Sequence, residues 1–223
     1  MNDDITLPPV EGEPPDAAVI ESIAAQLAAS LKPVRPLPSD TVLWTVALSI
    51  FLVLSFIGAK VPGFKALAVL SGGQMALYFG ALLLFAGLFS RAVVERMIPG
   101  SKQVLRPAVL SIVAMAAVGL LVLGLFSDHS AARFVSQGIP CLRLGSICAF
   151  VSGLLGWRLL QRGYLVSPRE TISVYGFFAG LVGVAVLALH CPILNSLHVL
   201  VWHLGAMLLA GLAGFLLGSY ADR

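Results

Sequence analysis

Six stretches of the 223-residue chain run for about 20 residues almost without charge: Thr41–Ala59, Ala66–Ser90, Pro107–Ser127, Pro140–Leu160, Thr171–Leu189 and His198–Ser219. Wound as helices, each is long enough to cross about 30 Å of hydrocarbon. The fourth carries Arg143 and Arg158 with 14 uncharged residues between them. Both long side chains reach toward opposite interfaces, which keeps it a span. Ahead of the spans the pattern changes. Between Pro15 and Pro33, Ile20, Ile23, Ala24, Leu27 and Leu31 recur at helical spacing and form one apolar stripe. Asp16 caps the start of that segment and Pro33 ends it. At about 16 residues it is too short and too polar to cross a bilayer. The "PVRPLPSD" that follows reads as a stiff, extended spacer. The pattern predicts an all-α, polytopic membrane protein: a short N-terminal amphipathic helix in an arm over 1–40, then six transmembrane helices over 41–223.

Composition agrees, and charge adds direction. The chain is 58% hydrophobic and 11% charged, with a mean hydropathy of +0.95, well above soluble globular values. The first 40 residues hold seven acids against Lys32 and Arg35, with no basic start leading into an apolar core, so no cleavable leader is expected. With six spans, ten of the fourteen Lys and Arg residues share a side with both termini and the loops at 91–106 and 161–170. Lys60, Lys65, Arg133 and Arg143 take the other. The positive-inside rule then puts both termini in the cytoplasm.

This topology sends the chain's chemistry outward. The stretch "HCPILNSLHVLVWHLGAM" (190–207) holds Cys191, His190, His198 and His203 between two apolar runs, and His129 and Cys141 fall on the same side. Cys141 and Cys191, beside Pro140 and Pro192, stand at the outer ends of the fourth and fifth spans. A short loop at 161–170 joins those spans, so they are expected to run antiparallel as neighbours. Thiols meeting there suit a redox-linked disulfide or a soft-metal site, with His190 or His198 as an auxiliary ligand. His198 and His203, five apart, lie about 140° apart around an α-helix and do not pair. His203 reads instead as a histidine satisfied by a neighbouring helix, and Cys148 as a small buried hydrophobe. No nucleophile elbow, phosphate loop, His-Glu-x-x-His or paired carboxylate occurs, so an enzyme is not expected. No acid or lysine lies at the centre of a span, which disfavours an ion-coupled transporter. Small residues repeat every fourth position at Ala206, Ala210, Gly214 and Gly218, at Gly72, Ala76 and Gly80, and at Gly176 and Gly180. They fit close helix packing within the chain first, and a homo-oligomer second.

The arm's stripe has three fates: lying on the lipid surface, folding back on the cytoplasmic loops, or docking into another protein's groove. Its acidic polar face argues against the first and suits a basic partner, such as a nucleic-acid-binding protein, rather than nucleic acid itself. "LAASLKPVRPLP" ahead of six spans, "CLRLGSICAFVSGLLGWRLLQRG" at 141–163 and "HCP…HVLVWHLGAMLLAGLAGFLLG" near the end resemble the NrsF family of membrane anti-sigma factors over nearly the whole chain. That resemblance implies an N-terminal arm that sequesters an extracytoplasmic-function sigma factor at the bacterial inner membrane; the arm's own apolar stripe, Ile20, Ile23, Leu27 and Leu31, is the expected contact. It also implies sensing by two outer-side thiols, Cys141 and Cys191, under metal or oxidative stress. No cofactor is expected. Residues 1–15 and Cys148 depart from the family's pattern. The competing reading is a membrane redox or metal-handling protein with no regulatory partner.

Overall fold

The computed structural model describes residues 16–30, 38–98, 100–101, 103–104, 106–128, 133–161 and 167–221. They form helices and connecting turns with no strand among them, in two compact units, Met1–Pro36 and Leu37–Arg223.

In the first unit, α1 spans Ala17–Ser30. Asp16 starts it as expected of a cap: its Oδ1 accepts the Ala18 N–H at 3.1 Å. Val19, Ile20, Ile23 and Leu27 are each at least half exposed. Leu31, the last position of the predicted stripe, lies outside the described residues.

The second unit contains six helices long and apolar enough to cross a membrane: α2 (Asp40–Lys60), α3 (Gly72–Met97), α4 (Pro107–Leu125), α5 (Phe134–Leu160), α6 (Pro168–His190) and α7 (Ser196–Ala221). Their ends explain themselves locally. Asp40 opens α2 and Lys60 closes it, each complementing the helix dipole. Proline takes the first position of α4 and of α6, where its missing N–H has no cost.

Two boundaries differ from the sequence pattern. The second apolar stretch begins at Ala66, but residues Ala66–Ala68 form a single 3₁₀ turn. α3 starts only at Gly72, where Ser71 and Gln74 cap each other reciprocally. It then continues past Ser90 to Met97, with Arg91 and Glu95 paired at 2.8 Å one turn apart. The fourth apolar stretch was expected to begin at Pro140, yet α5 starts six residues earlier. Pro140 sits inside it, at the cost of the one hydrogen bond its absent N–H would have made. Cys141 is thereby two turns into a helix rather than at its tip.

α6 is the axis of the bundle. Its residues from Phe178 through Ala188 are buried without a break, as expected of a helix apolar on every side. α7 lies against it in backbone contact at several points. A Cβ added at Gly180 would stand 2.5 Å from the Met207 Cα, one at Gly176 2.5 Å from the Ala210 oxygen, and one at Gly214 2.5 Å from the Ile172 oxygen. The small-residue repeats of the fifth and sixth spans therefore serve packing inside the chain. That of the second span does not: a Cβ added at Gly72 or Gly80 would meet no other part of the protein within 4 Å. At one end of the bundle, Arg96 of α3 is buried, donates to the Ala92 carbonyl at 3.0 Å and lies 3.8 Å from Glu170 at the start of α6. Cys191, His190, His198 and His203 lie at the other end of α6, with Cys141 beside them.

Candidate functional site

α6 ends at His190, and the next residue, Cys191, is its C-cap, with its N–H bonded to the Leu187 carbonyl at 2.8 Å. The chain then crosses to α7 over 192–195. Asn195 caps α7 by accepting the His198 N–H at 3.0 Å. Ser196 is tied to the Asp128 carbonyl through both its N–H (2.9 Å) and its hydroxyl (3.1 Å). This anchoring fixes His198 above the end of α6.

The first full turn of α7 is not α-helical. Val199–His203 form a π turn, and the Leu204 N–H bonds back to Val199. Bonds in such a turn span five residues instead of four, so His198 and His203 come to the same side of α7, ring centroids 5.4 Å apart. The ring of the preceding Trp202 takes the space that a side chain at Gly138 of α5 would fill, and it packs 5.2 Å from Phe134.

Four polar groups converge there. The Cys141 thiol of α5 points at the Cys191 sulfur, 3.6 Å away. The His198 Nε2 is 3.5 Å from that same sulfur. One ligand atom from each of Cys141, Cys191, His198 and His203 lies within 4.8 Å of the other three. All are deeply placed, at 9%, 4%, 3% and 2% exposure, among Leu144, Leu187, Ile193 and Trp202. Neither ring nitrogen of His203 has a well-formed hydrogen bond. The Cys141 thiol, which donates to Cys191, holds the Cys191 thiol below the ordinary range, with help from His198 and His203 and against the opposing effect of burial. On the open side, a polar cavity of about 440 Å³ reaches His198, lined among others by Asp128, Arg133, Gln137 and Asn195.

The other candidates lie elsewhere. His190 is not in this group; its Nδ1 lies 2.8 Å from the Gly63 carbonyl. Cys148 sits deeper, its sulfur against Gly58 of α2. His129 is outside the described residues. Ile20, Ile23 and Leu27 are on α1, in the other unit.

The family model for NrsF, negative regulator of sigma F, matches residues 27–223. The chain belongs to the NrsF family. No curated protein and no solved structure matches it. This NrsF protein is therefore a negative regulator of a sigma factor, with a sigma factor as its partner, carried on six membrane-crossing helices. The matched region takes in all four converging residues. It begins at Leu27, so most of α1, including Ile20 and Ile23, precedes it.

His203 is the member of the cluster that sequence reasoning set aside. Spacing of five is out of register for an α-helix, and only the π turn makes it a pair. A polar residue repeating at i, i+5 inside "HVLVWH" is the signal that would have found it.

Proposed function

We propose that this NrsF protein is a transmembrane anti-sigma factor of the bacterial inner membrane, both termini cytoplasmic. Its arm sequesters an extracytoplasmic-function sigma factor and frees it when the Cys141–Cys191 pair reacts. The observation that carries the sensing part is the 3.6 Å approach of two free sulfurs on different helices. The ten-to-four distribution of basic residues supports the orientation. The exposed Ile20, Ile23 and Leu27 support the arm as the docking element, since amphipathic helices recognise partner grooves by spaced apolar anchors.

Either chemistry open to the pair changes how α5 packs on α6. Oxidation removes two protons and two electrons to an external oxidant and draws the sulfurs to about 2.05 Å. A thiophilic metal ion replaces the protons and binds both sulfurs at longer range. α6 is enclosed by its neighbours, and close-packed interiors pass strain on rather than absorb it. One of those neighbours is α2, whose Phe51 ring is 6.2 Å from Phe178, and α2 is the first helix after the arm in sequence.

The test is transcription of the sigma-factor target under oxidant or thiol-binding metal. Cys141→Ser and Cys191→Ser cells are expected to lose the normal response, locked off or constitutively on, while Cys148→Ser cells respond as wild type. A normal response in the Cys141→Ser, Cys191→Ser double variant ends the sensing proposal. Failure of the full-length protein to co-purify with any sigma factor ends the anti-sigma one.

A further inference from the structure

Two edges of the four-residue cluster have the dimensions of a coordination shell, and all four ligand atoms lie within 4.8 Å of one another. A tetrahedral ion with metal–sulfur bonds of about 2.3 Å and metal–nitrogen bonds of about 2.05 Å needs an edge of about 3.8 Å between two sulfurs and about 3.6 Å between sulfur and nitrogen. The corresponding distances are 3.6 Å for Cys141 to Cys191 and 3.5 Å for Cys191 to His198. His203 completes the set: 2% exposed, with neither ring nitrogen hydrogen-bonded. A buried imidazole without a well-formed hydrogen bond keeps much of its desolvation cost, and a bound ion would offset it. The turn that brings His203 into place is of the type that concentrates at functional sites.

We propose that Cys141, Cys191, His198 and His203 form a closed Cys₂His₂ site for a divalent d¹⁰ ion, with zinc as its resident. Ligand type excludes the hard cations, which take oxygen. Charge then decides among the soft ones. Two thiolates and two neutral imidazoles carry −2, which a divalent ion cancels to zero. A cuprous ion leaves −1 in an apolar surrounding of Leu144, Leu187, Ile193 and Trp202, where uncompensated charge is costly. Binding is not a redox step: one zinc ion enters, two thiol protons leave to solvent, and two zinc–sulfur bonds form. Four protein ligands fill the tetrahedron, so the ion holds structure and activates no water. It ties α5, the end of α6 and α7 to one point. The polar cavity that reaches His198 is the route in.

The proposal shares its thiols with the sensing reading and adds to it. Zinc is what the reacting cysteines hold at rest; a peroxide that takes two electrons from the thiolates and two protons from solvent leaves as water or alcohol, the sulfurs join as a disulfide, both zinc–sulfur bonds break and the ion is released. Metal binding itself requires no sigma factor, so the two readings fail separately.

The experiment uses the full-length chain in detergent, without partner, and cobalt(II) as the probe. The expected result is one cobalt per chain with visible bands of tetrahedral coordination and near-ultraviolet sulfur-to-cobalt charge transfer, all bleached by equimolar zinc. Cys141→Ser, Cys191→Ser, His198→Ala and His203→Ala each weaken binding by more than about 100-fold, beyond the loss usual for groups that merely support a ligand. His190→Ala and Cys148→Ser bind as wild type. Circular dichroism accompanies each variant, and His203→Gln, which keeps bulk and polarity, serves if His203→Ala does not fold. Wild-type protein without the cobalt spectrum overturns the site. So does a folded His203 variant with undiminished binding. Cobalt binding with a normal stress response in the double cysteine variant leaves the site standing and removes the sensing role.

Discussion

Gly180 offers a sharp test of the packing that holds α6 to α7. A methyl group there stands 2.5 Å from the Met207 Cα and 2.9 Å from the Met207 oxygen. Non-bonded carbons rest at about 3.5–4.0 Å, so Gly180→Ala forces the helices about 1 Å apart. A gap of that size forfeits about a quarter to a half of each contact's attraction. If the seam comprises roughly 40 atom pairs, about what one buried leucine makes, at about 0.15 kcal/mol each, losing a third costs about 2 kcal/mol. Alanine's better helix propensity returns about 0.5–1 kcal/mol, leaving a net loss of about 1–1.5 kcal/mol, roughly tenfold in the unfolding constant. Gly80→Ala is the matched control. It makes the same chemical change on α3 with nothing within 4 Å, so only the propensity gain remains and the protein is unchanged or slightly more stable. The assay is unfolding by sodium dodecyl sulfate in mixed micelles, followed by tryptophan fluorescence. If Gly180→Ala proves as stable as Gly80→Ala, α6 and α7 are not in backbone contact and the seam described above is wrong.

Three further outcomes are expected. Ile23→Asp and Leu27→Asp place charge in the proposed contact between arm and sigma factor, where an unpaired buried ion costs several kcal/mol; reporter transcription should rise without stress while immunoblots show unchanged protein in the membrane. Leu27→Asp should act more strongly than Ile20→Asp, because the family match starts at Leu27. Phosphatase fusions, active only outside the cytoplasm, should be silent after Arg223 and active near Asn195; the reverse pattern inverts the proposed orientation.

The six spans were legible because twenty apolar residues have few other uses in a chain. Their ends were less so. Hydropathy cannot distinguish Ala66–Leu70 from α3, since both are apolar; the boundary is set by the Ser71–Gln74 box, a polar signal of two residues. Proline at 140 marked a boundary only on the assumption that helices do not run through it, and α5 does. At the site, the short 161–170 connection was enough to make neighbours of the spans bearing Cys141 and Cys191. The histidines were harder. His190 is adjacent to Cys191 in sequence, yet the end of α6 turns it toward Gly63. His203 was discounted by a rule of 100° per residue that holds everywhere in α7 except the turn in which it stands.

The π turn has one more consequence, in phase. Along a regular helix His203 shares its azimuth with Ala206, Ala210 and Gly214, three, seven and eleven residues on. Ala206 is buried, and Gly214 and Ala210 meet the backbone of α6, so this is the azimuth that faces α6. The surplus residue of the turn resets the count and brings His198 round to it from about 140° away. α7 is thus two rods of different phase spliced end to end. The splice lets one helix grip its neighbour along its whole length and still aim both imidazoles at the same pair of sulfurs.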